Sequence, residues 1–183
     1  MKPIAASLLF LFAVACSTPP ATPPVDEVSE SPEFAKAHVV DIAVVRPVVP
    51  AGSDEHLSAR LREAVRKTLI SEKSYAVPTS NFVDGTLVGG SASAEAMHSD
   101  GILTLALDEW NRDAFLSSGR VKAAGKLTLT GKNGAVLWER RFTERTVLYP
   151  GTVQAGAMRE AEEAVMKSFA ADILASLPKK LAR

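Results

Sequence analysis

The stretch that decides the fold is residues 120–147, which read RVKAAGKLTLTGKNGAVLWERRFTERTV. Small or apolar residues alternate with polar ones through its first half, which is the pattern of a strand with one buried face. Asn133-Gly134 stands between two such runs, and this dipeptide accepts the positive φ that a tight hairpin turn requires. The sequence therefore predicts two antiparallel strands, Arg120–Thr130 and Ala135–Val147, joined at that turn.

Three earlier segments also have strand patterns, namely His38–Arg46, Ser74–Pro78 and Gly101–Trp110. The first contains the apolar run Ile42–Val45, which indicates a strand covered on both faces, and the third is predicted to be a central strand. Pro47 ends the first of them, since proline cannot donate to a strand ladder. Together with the hairpin, these segments predict a sheet of about five strands.

Two amphipathic helices are predicted around this sheet. Four apolar residues follow one another at four-residue spacing in the first helix, and Ser53 is its predicted N-cap. They are Leu57, Leu61, Val65 and Leu69. The second helix is predicted over Gln154–Leu177 and ends before Pro178. Thr79–Asp100 is predicted to be a loop with one short helix near Ser93–Met97. The order β-α-β-(α)-β-β-β-α gives an α/β (α+β) domain, residues 38–183, with a mixed sheet and helices packed on it.

The start of the chain has the pattern of an export signal. Ile4–Val14 is almost wholly apolar, too short to span a bilayer but typical of the core of a signal peptide. The residues Ala13, Val14 and Ala15 before Cys16 resemble a bacterial lipobox, the recognition site of lipoprotein signal peptidase. The resemblance implies a signal peptide over residues 1–15 and a lipid on Cys16, and an ordinary signal peptide is the alternative.

The residue after the cysteine bears on whether a lipoprotein is kept in the inner membrane or moved to the outer one. Ser17 stands where enteric bacteria place the aspartate that retains lipoproteins at the inner membrane. By this resemblance, the protein is anchored by its lipid in the outer membrane and faces the periplasm. Residues 16–37 are rich in Pro, Ser and Thr, and they are predicted to form an extended tether of up to about 60 Å. A generic linker of no specific length is the alternative.

Composition and motifs favour no catalytic chemistry. The chain has 183 residues with 21 basic and 21 acidic side chains, a balance unlike that of nucleic-acid-binding proteins. The three histidines, His38, His56 and His98, lie apart, and Cys16 is the only cysteine, so no metal site is predicted. Gly85–Ser91 has glycines spaced as in a phosphate-binding loop but lacks the lysine of such loops, and a surface loop is favoured. We expect no catalytic residues and no cofactor.

Two tryptophans and a charged strand end are the candidate partner-binding features. Trp110, Trp138 and Arg141 are the candidate residues, because tryptophan and arginine are enriched in binding hot spots. Packing in the core is the alternative for both tryptophans. The charged run Arg140–Arg145 is interpreted as a solvated sheet edge that discourages aggregation, with partner binding as the alternative.

Two short motifs carry a family resemblance. Asp100–Trp110, DGILTLALDEW, and Gly134–Glu139, GAVLWE, resemble the strand and hairpin arm of the amino-terminal domain of TolB. Small lipoproteins share that fold, including peptidoglycan-synthase activators, the curli secretion lipoprotein and a neisserial surface group. The resemblance implies a domain without catalytic residues, which binds a protein partner in the periplasm or self-associates. A carrier of lipid or a small ligand for an envelope transporter is the alternative function.

Lipidation is tested by substituting the single cysteine. Cys16→Ala removes the only thiol that can form the thioether, so we expect loss of palmitate labelling and accumulation of the unprocessed chain. Ser17→Ala is the matched control and should be labelled like the wild type. Equal labelling of Cys16→Ala and wild type would show that the chain is not a lipoprotein.

Overall fold

The computed structural model describes residues 26–88 and 93–180. The strands are β1 (Asp26–Glu30), β2 (Ile42–Val44), β3 (Gly101–Asn111), β4 (Arg120–Gly131) and β5 (Val136–Leu148). The helices are α1 (Glu33–Lys36), α2 (Leu57–Ser71), α3 (Ser80–Val88), α4 (Phe115–Ser118) and α5 (Met158–Ile173), the last preceded by a 3-10 turn at Ala155–Ala157. Within the described ranges, no helix combines the length and the apolar character needed to cross a membrane.

The strands form one mixed sheet in the order β1-β5-β4-β3-β2. β2 and β3 are parallel, and every other neighbouring pair is antiparallel. The predicted α/β (α+β) class, with a five-stranded sheet and helices packed on it, is confirmed. The hairpin predicted from residues 120–147 forms its centre.

The main core lies between one face of the sheet and the helices α2 and α5. All four apolar residues of the predicted first-helix stripe are buried there, together with Val165, Phe169 and Ile173 of α5. On the sheet they meet alternate residues of β3, which are Leu103, Leu105 and Leu107. A smaller cluster on the opposite face joins α3 to β3 through Val83 and Ile102. Most of that opposite face carries polar side chains.

The hairpin turn depends on one glycine, and the sheet on another. Gly134 has φ +76°, and its N–H donates to the carbonyl of Gly131 at 2.9 Å, as the Asn-Gly pattern predicts.

Gly125 lies where β3 and β4 approach closely, next to a bulge. A Cβ there would lie 2.3 Å from the carbonyl oxygen of Ala106, so any larger residue would force the strands apart.

Two of the five strands differ from the sequence-based prediction. Ser74–Pro78 forms only one bridge, between Asp41 and Ala76, because beyond it Arg62 Nε donates to the Val44 carbonyl in place of a strand partner. The remaining strand is β1, which lies inside the predicted tether. The prediction of an extended tether is therefore wrong from Asp26 onward, since an edge strand can form through backbone pairing without burying apolar side chains.

Helix boundaries also differ. The helix α2 begins at Leu57 with His56 at its N-cap, so Ser53 is not the cap. The Asp54 carboxylate instead accepts the His56 N–H at 2.7 Å in a turn that precedes the helix. The predicted loop before Asp100 contains α3, whereas Ser93–Met97 is a turn rather than a helix. α5 is shorter at both ends than the predicted helix.

Packing of Trp138 can be tested by truncation. Its ring is 0% exposed and belongs to the cluster that contains Phe169, so Trp138→Ala should lower the free energy of unfolding by about 3–5 kcal/mol. Trp138→Phe should cost less, because it keeps an aromatic ring and removes a buried indole N–H that has no hydrogen-bond partner. Urea denaturation measures both, and equal stability of Trp138→Ala and wild type would contradict the packing.

Candidate functional site

The candidate site is the edge of the sheet where an acidic strand lies on an arginine-rich one. β1 has the sequence DEVSE and pairs antiparallel with β5, from Asp26 opposite Phe142 to Glu30 opposite Trp138. All five residues of β1 are exposed, so none of its side chains contributes to the core. β1 is therefore held by its backbone ladder and by ion pairs.

Arg140 is the main partner of this strand. It lies on the inner face of β5 between Val28 on β1 and Leu127 on β4, and its side chain is only 5% exposed. Its guanidinium donates to both carboxylate oxygens of Asp26 at 2.8 Å. It also donates to the backbone carbonyl of Asp172, near the end of α5. A two-pronged contact of this kind is stronger and more directional than a single hydrogen bond.

Arg145 extends the contact to α5. It lies 3.1 Å from the second carboxylate oxygen of Asp26 and donates to both carboxylate oxygens of Asp172. Its hydrogen bonds to Asp172 raise the pKa of its guanidinium. Asp26, Arg140, Arg145 and Asp172 together form what we call the arginine cluster, which joins β1, β5 and α5.

The arginine cluster changes the acidity of Asp26. The hydrogen bond from Arg140 is the main cause that lowers the pKa of this carboxyl, and it outweighs the opposing effect of partial burial. The carboxylate is thus held in its charged form, which suits its pairing with two arginines.

The two edges of the sheet are not equivalent. At the β2 edge, the Ile42 N–H donates to the Ala76 carbonyl at 2.9 Å, and Arg62 Nε donates to the Val44 carbonyl at 2.8 Å. β1 is the terminal strand at the other edge, and no described strand pairs with its outer side. The sequence suggested that the charged run on β5 is the sheet edge. This is wrong for Arg140 and Arg141, which β1 covers, whereas Glu144 and Arg145 lie beyond the part of β5 that pairs with β1.

The candidate partner-binding residues are placed differently from one another. Trp138 is buried, so its ring is not available as an anchor for a partner. Trp110 is partly buried and packs edge-on against Phe169, with ring centroids 5.2 Å apart. Arg141 is exposed on the outer sheet face, between Glu27 on β1 and Lys126 on β4. Of the three, Arg141 alone lies fully at the surface and beside the β1 edge.

Other candidate residues are not brought together. Cys16 and the recognition residues Ala13, Val14 and Ala15 lie outside the described residues, as do residues 89–91 of the glycine-containing segment. The part of that segment from Gly85 to Val88 belongs to α3. Within residues 26–88 and 93–180, no group of three or more His, Cys, Asp or Glu side chains is placed to hold a metal ion.

The motif at Asp100 has a structural explanation. The Asp100 carboxylate accepts the backbone N–H groups of Val40 and Asp41 at 2.9 and 3.2 Å and pairs with Lys132 at 2.7 Å. Burial alone would raise the pKa of Asp100, but these hydrogen bonds outweigh it and lower that pKa. Asp100 fastens the chain entering β2 to the start of β3. The aspartate of the strand motif therefore has a structural role.

A groove with a volume of about 890 Å³ lies between α2 and α5. Charged side chains line it, including Lys67, Arg159, Glu163 and Lys167. A carrier of lipid would be expected to present an apolar pocket with few charges. The groove therefore gives no support to the carrier function.

No protein-family model matches the chain, and no curated protein matches it. Solved structures do match. PelC from Paraburkholderia phytofirmans, a dodecamer, has a TM-score of 0.55 at 18% identity, over 82% of this chain and 95% of that one. The hypothetical protein CT253 from Chlamydia trachomatis has a TM-score of 0.51 at 10% identity, over 75% and 94%. Lipoprotein GNA1162 from Neisseria meningitidis has a TM-score of 0.41 at 18% identity, over 72% and 98%.

The likeness to PelC and CT253 establishes the fold. It also confirms, at the level of fold, the resemblance indicated by the strand and hairpin motifs. At these identities the likeness does not carry over a partner or an activity.

The arginine cluster contributes to the free energy of unfolding, and this contribution should depend on pH. Because the folded-state pKa of Asp26 lies below its ordinary value of 3.8, its carboxylate stabilises the fold above about pH 4, and this is lost as pH falls through the lowered pKa. Asp26→Asn should therefore be less stable at pH 7 by about 1 kcal/mol, with a difference that shrinks in acid.

Urea denaturation between pH 7 and pH 2.5 checks this expectation. Glu27→Gln is the matched control, since Glu27 is on the same strand but lies on the outer face opposite Arg141. A stability difference for Asp26→Asn that is absent at pH 7, or that persists unchanged in acid, would contradict the role of the cluster.

Proposed function

We propose that the protein is a non-enzymatic lipoprotein of the cell envelope, anchored in the outer membrane by the lipid on Cys16, whose periplasmic domain self-associates. Docking on a different protein is the alternative outcome of the experiment below. The observation that carries the proposal is the fold, which matches PelC over most of both chains, and PelC is a dodecamer.

The placement of β1 supports contact between proteins. A strand whose outer side is unpaired presents a row of backbone donors and acceptors, and adding another strand is a recurring mode of protein recognition. The exposed charges of β1 and of Arg141 lie beside this edge. A surface of this kind is suited to a polypeptide partner rather than to a small apolar ligand.

The anchor would keep the domains close to one another. Nine residues, 17–25, separate Cys16 from the first residue of β1. Even fully extended, nine residues span at most about 32 Å, roughly half the reach calculated for the whole predicted tether. Copies anchored in one membrane leaflet would therefore share a thin layer, and their high local concentration favours association.

Self-association is tested on the lipidated protein purified in detergent. Light scattering, corrected for bound detergent, should give a mass that is a multiple of the single chain. Cys16→Ser, exported behind an ordinary signal peptide, is the control without lipid, and it should form the same assembly at higher protein concentration. A single-chain mass for both forms at all concentrations would rule out self-association, and crosslinking in cells would then identify a different partner.

A further inference from the structure

We propose that copies of the protein assemble by strand exchange, with β1 of one copy paired to β5 of the next. This inference rests on the proposed self-association and names the contact that produces it. The donated strand would make, with the neighbouring chain, the ladder and the arginine cluster that the structure shows within one chain.

The contacts of β1 do not depend on which chain supplies the strand. Its five residues are exposed, and Val28, the only large apolar one, is half exposed. The strand is thus held by its backbone hydrogen bonds and by the ion pairs of Asp26. Both kinds of contact can form equally well between two chains. A strand with several buried apolar side chains would be harder to exchange, because leaving the domain would open its core.

The charges select the partner strand. β1 carries three acids, Asp26, Glu27 and Glu30, whereas β5 carries three arginines, Arg140, Arg141 and Arg145. Two β1 strands paired antiparallel about Val28 would set Asp26 of each against Glu30 of the other, and like charges directly opposite are unfavourable. β1 is therefore matched to β5 and mismatched to itself, which gives the contact a direction.

The connection to the domain allows the exchange. The Asp100 carboxylate fastens the chain at Val40 and Asp41, and the Ser31 N–H donates to the Leu137 carbonyl of β5 at 2.9 Å, so the connecting segment is residues 32–38. Seven extended residues reach at most about 25 Å, so exchange requires the two domains to lie side by side. Phe34 is the one residue of α1 that packs against the main core, and it is only partly buried.

Exchange in one direction has a consequence for the assembly. Each copy would give one strand and receive one, which is a head-to-tail contact that produces a closed ring or an open filament. Because the anchor precedes β1 in the sequence, the lipid of each copy would be fastened to the body of the next. The rotation between neighbouring copies decides whether the assembly closes into a ring.

The experiment distinguishes pairing within a chain from pairing between chains. Ser29 lies directly opposite Glu139, and such pairs have Cα atoms about 4.5–5.5 Å apart, within the range that a disulfide spans. Cells would co-express a Ser29→Cys chain and a Glu139→Cys chain that carry tags of different size. Since each chain has a single new cysteine, a mixed disulfide requires two copies. Cys16, once lipidated as proposed, has no free thiol and does not compete.

The control replaces Glu139→Cys by Thr104→Cys, which lies in the same row of the outer face but two strands further from β1. We expect mild oxidation to give a covalent dimer of mixed tag size with Glu139→Cys, at least tenfold more abundant than with Thr104→Cys. A chain carrying both Ser29→Cys and Glu139→Cys should form a ladder of covalent oligomers.

Other results overturn the inference in distinguishable ways. If the doubly substituted chain closes only on itself and no mixed dimer forms, while light scattering still shows an assembly, the protein self-associates through another surface. If light scattering shows single chains, then self-association and strand exchange are both wrong. Abundant mixed dimers with both Glu139→Cys and Thr104→Cys would indicate random collision in the membrane and would also contradict the exchange.

Discussion

The guanidinium of Arg140 lies at the border of an apolar core, where a charge is costly unless it is paired. Its neighbours on the inner face are Leu127 and, on β1, the half-exposed Val28. The carboxylate of Asp26, 114 residues away in sequence, supplies the pairing charge. Because this carboxylate belongs to the first described strand, neutralising Arg140 brings the amino-terminal segment onto the sheet. This contact and the backbone ladder of β1 together define that edge of the sheet.

Similar charged contacts hold other irregular segments. Glu162 on α5 pairs with Arg60 on α2 and with Arg112 after β3. Lys73 donates to the carbonyls of Ala175 and Leu177 just beyond α5, and its burial lowers the pKa of its ammonium group. A cation at the end of a helix satisfies carbonyls that have no partner within the helix. Charged side chains thus hold the peripheral segments of the domain in place, whereas apolar packing holds its centre together.

The difference between centre and periphery explains which predictions were confirmed. Apolar periodicity predicted the hairpin, β3 and the inner face of α2, because each buries a regular pattern of side chains in the main core. β1 has no such pattern, and its composition is that of a solvated linker. The glycines of the Thr79–Asp100 segment suggested a loop, yet contacts of Val83 with Ile102 and of Arg62 with Asp84 hold the helix α3 there. Tertiary contacts outweigh local preference at these positions.

The candidate site was only partly readable from the sequence. The acids of β1 and the arginines of β5 are both visible in it, but charge runs usually indicate solvated surface. A pairing between DEVSE and the arginines more than 100 residues later could be recognised only once the sheet placed them side by side. Arg141 lies at the surface and Trp138 in the core, because these two residues are three apart in a regular part of β5, where successive side chains take opposite faces.

By itself, the sequence determined the hairpin at Asn133-Gly134, the buried stripe of α2 and the position of the single cysteine. These features depend on residues that are neighbours in the chain or repeat at a fixed spacing. The tertiary structure decided that residues 26–30 form a strand, that the Ser74–Pro78 segment does not, and that an arginine lies buried beside an aspartate. Those outcomes depend on which charges and backbone groups remain unpaired after the core has formed, and a local pattern does not contain that information.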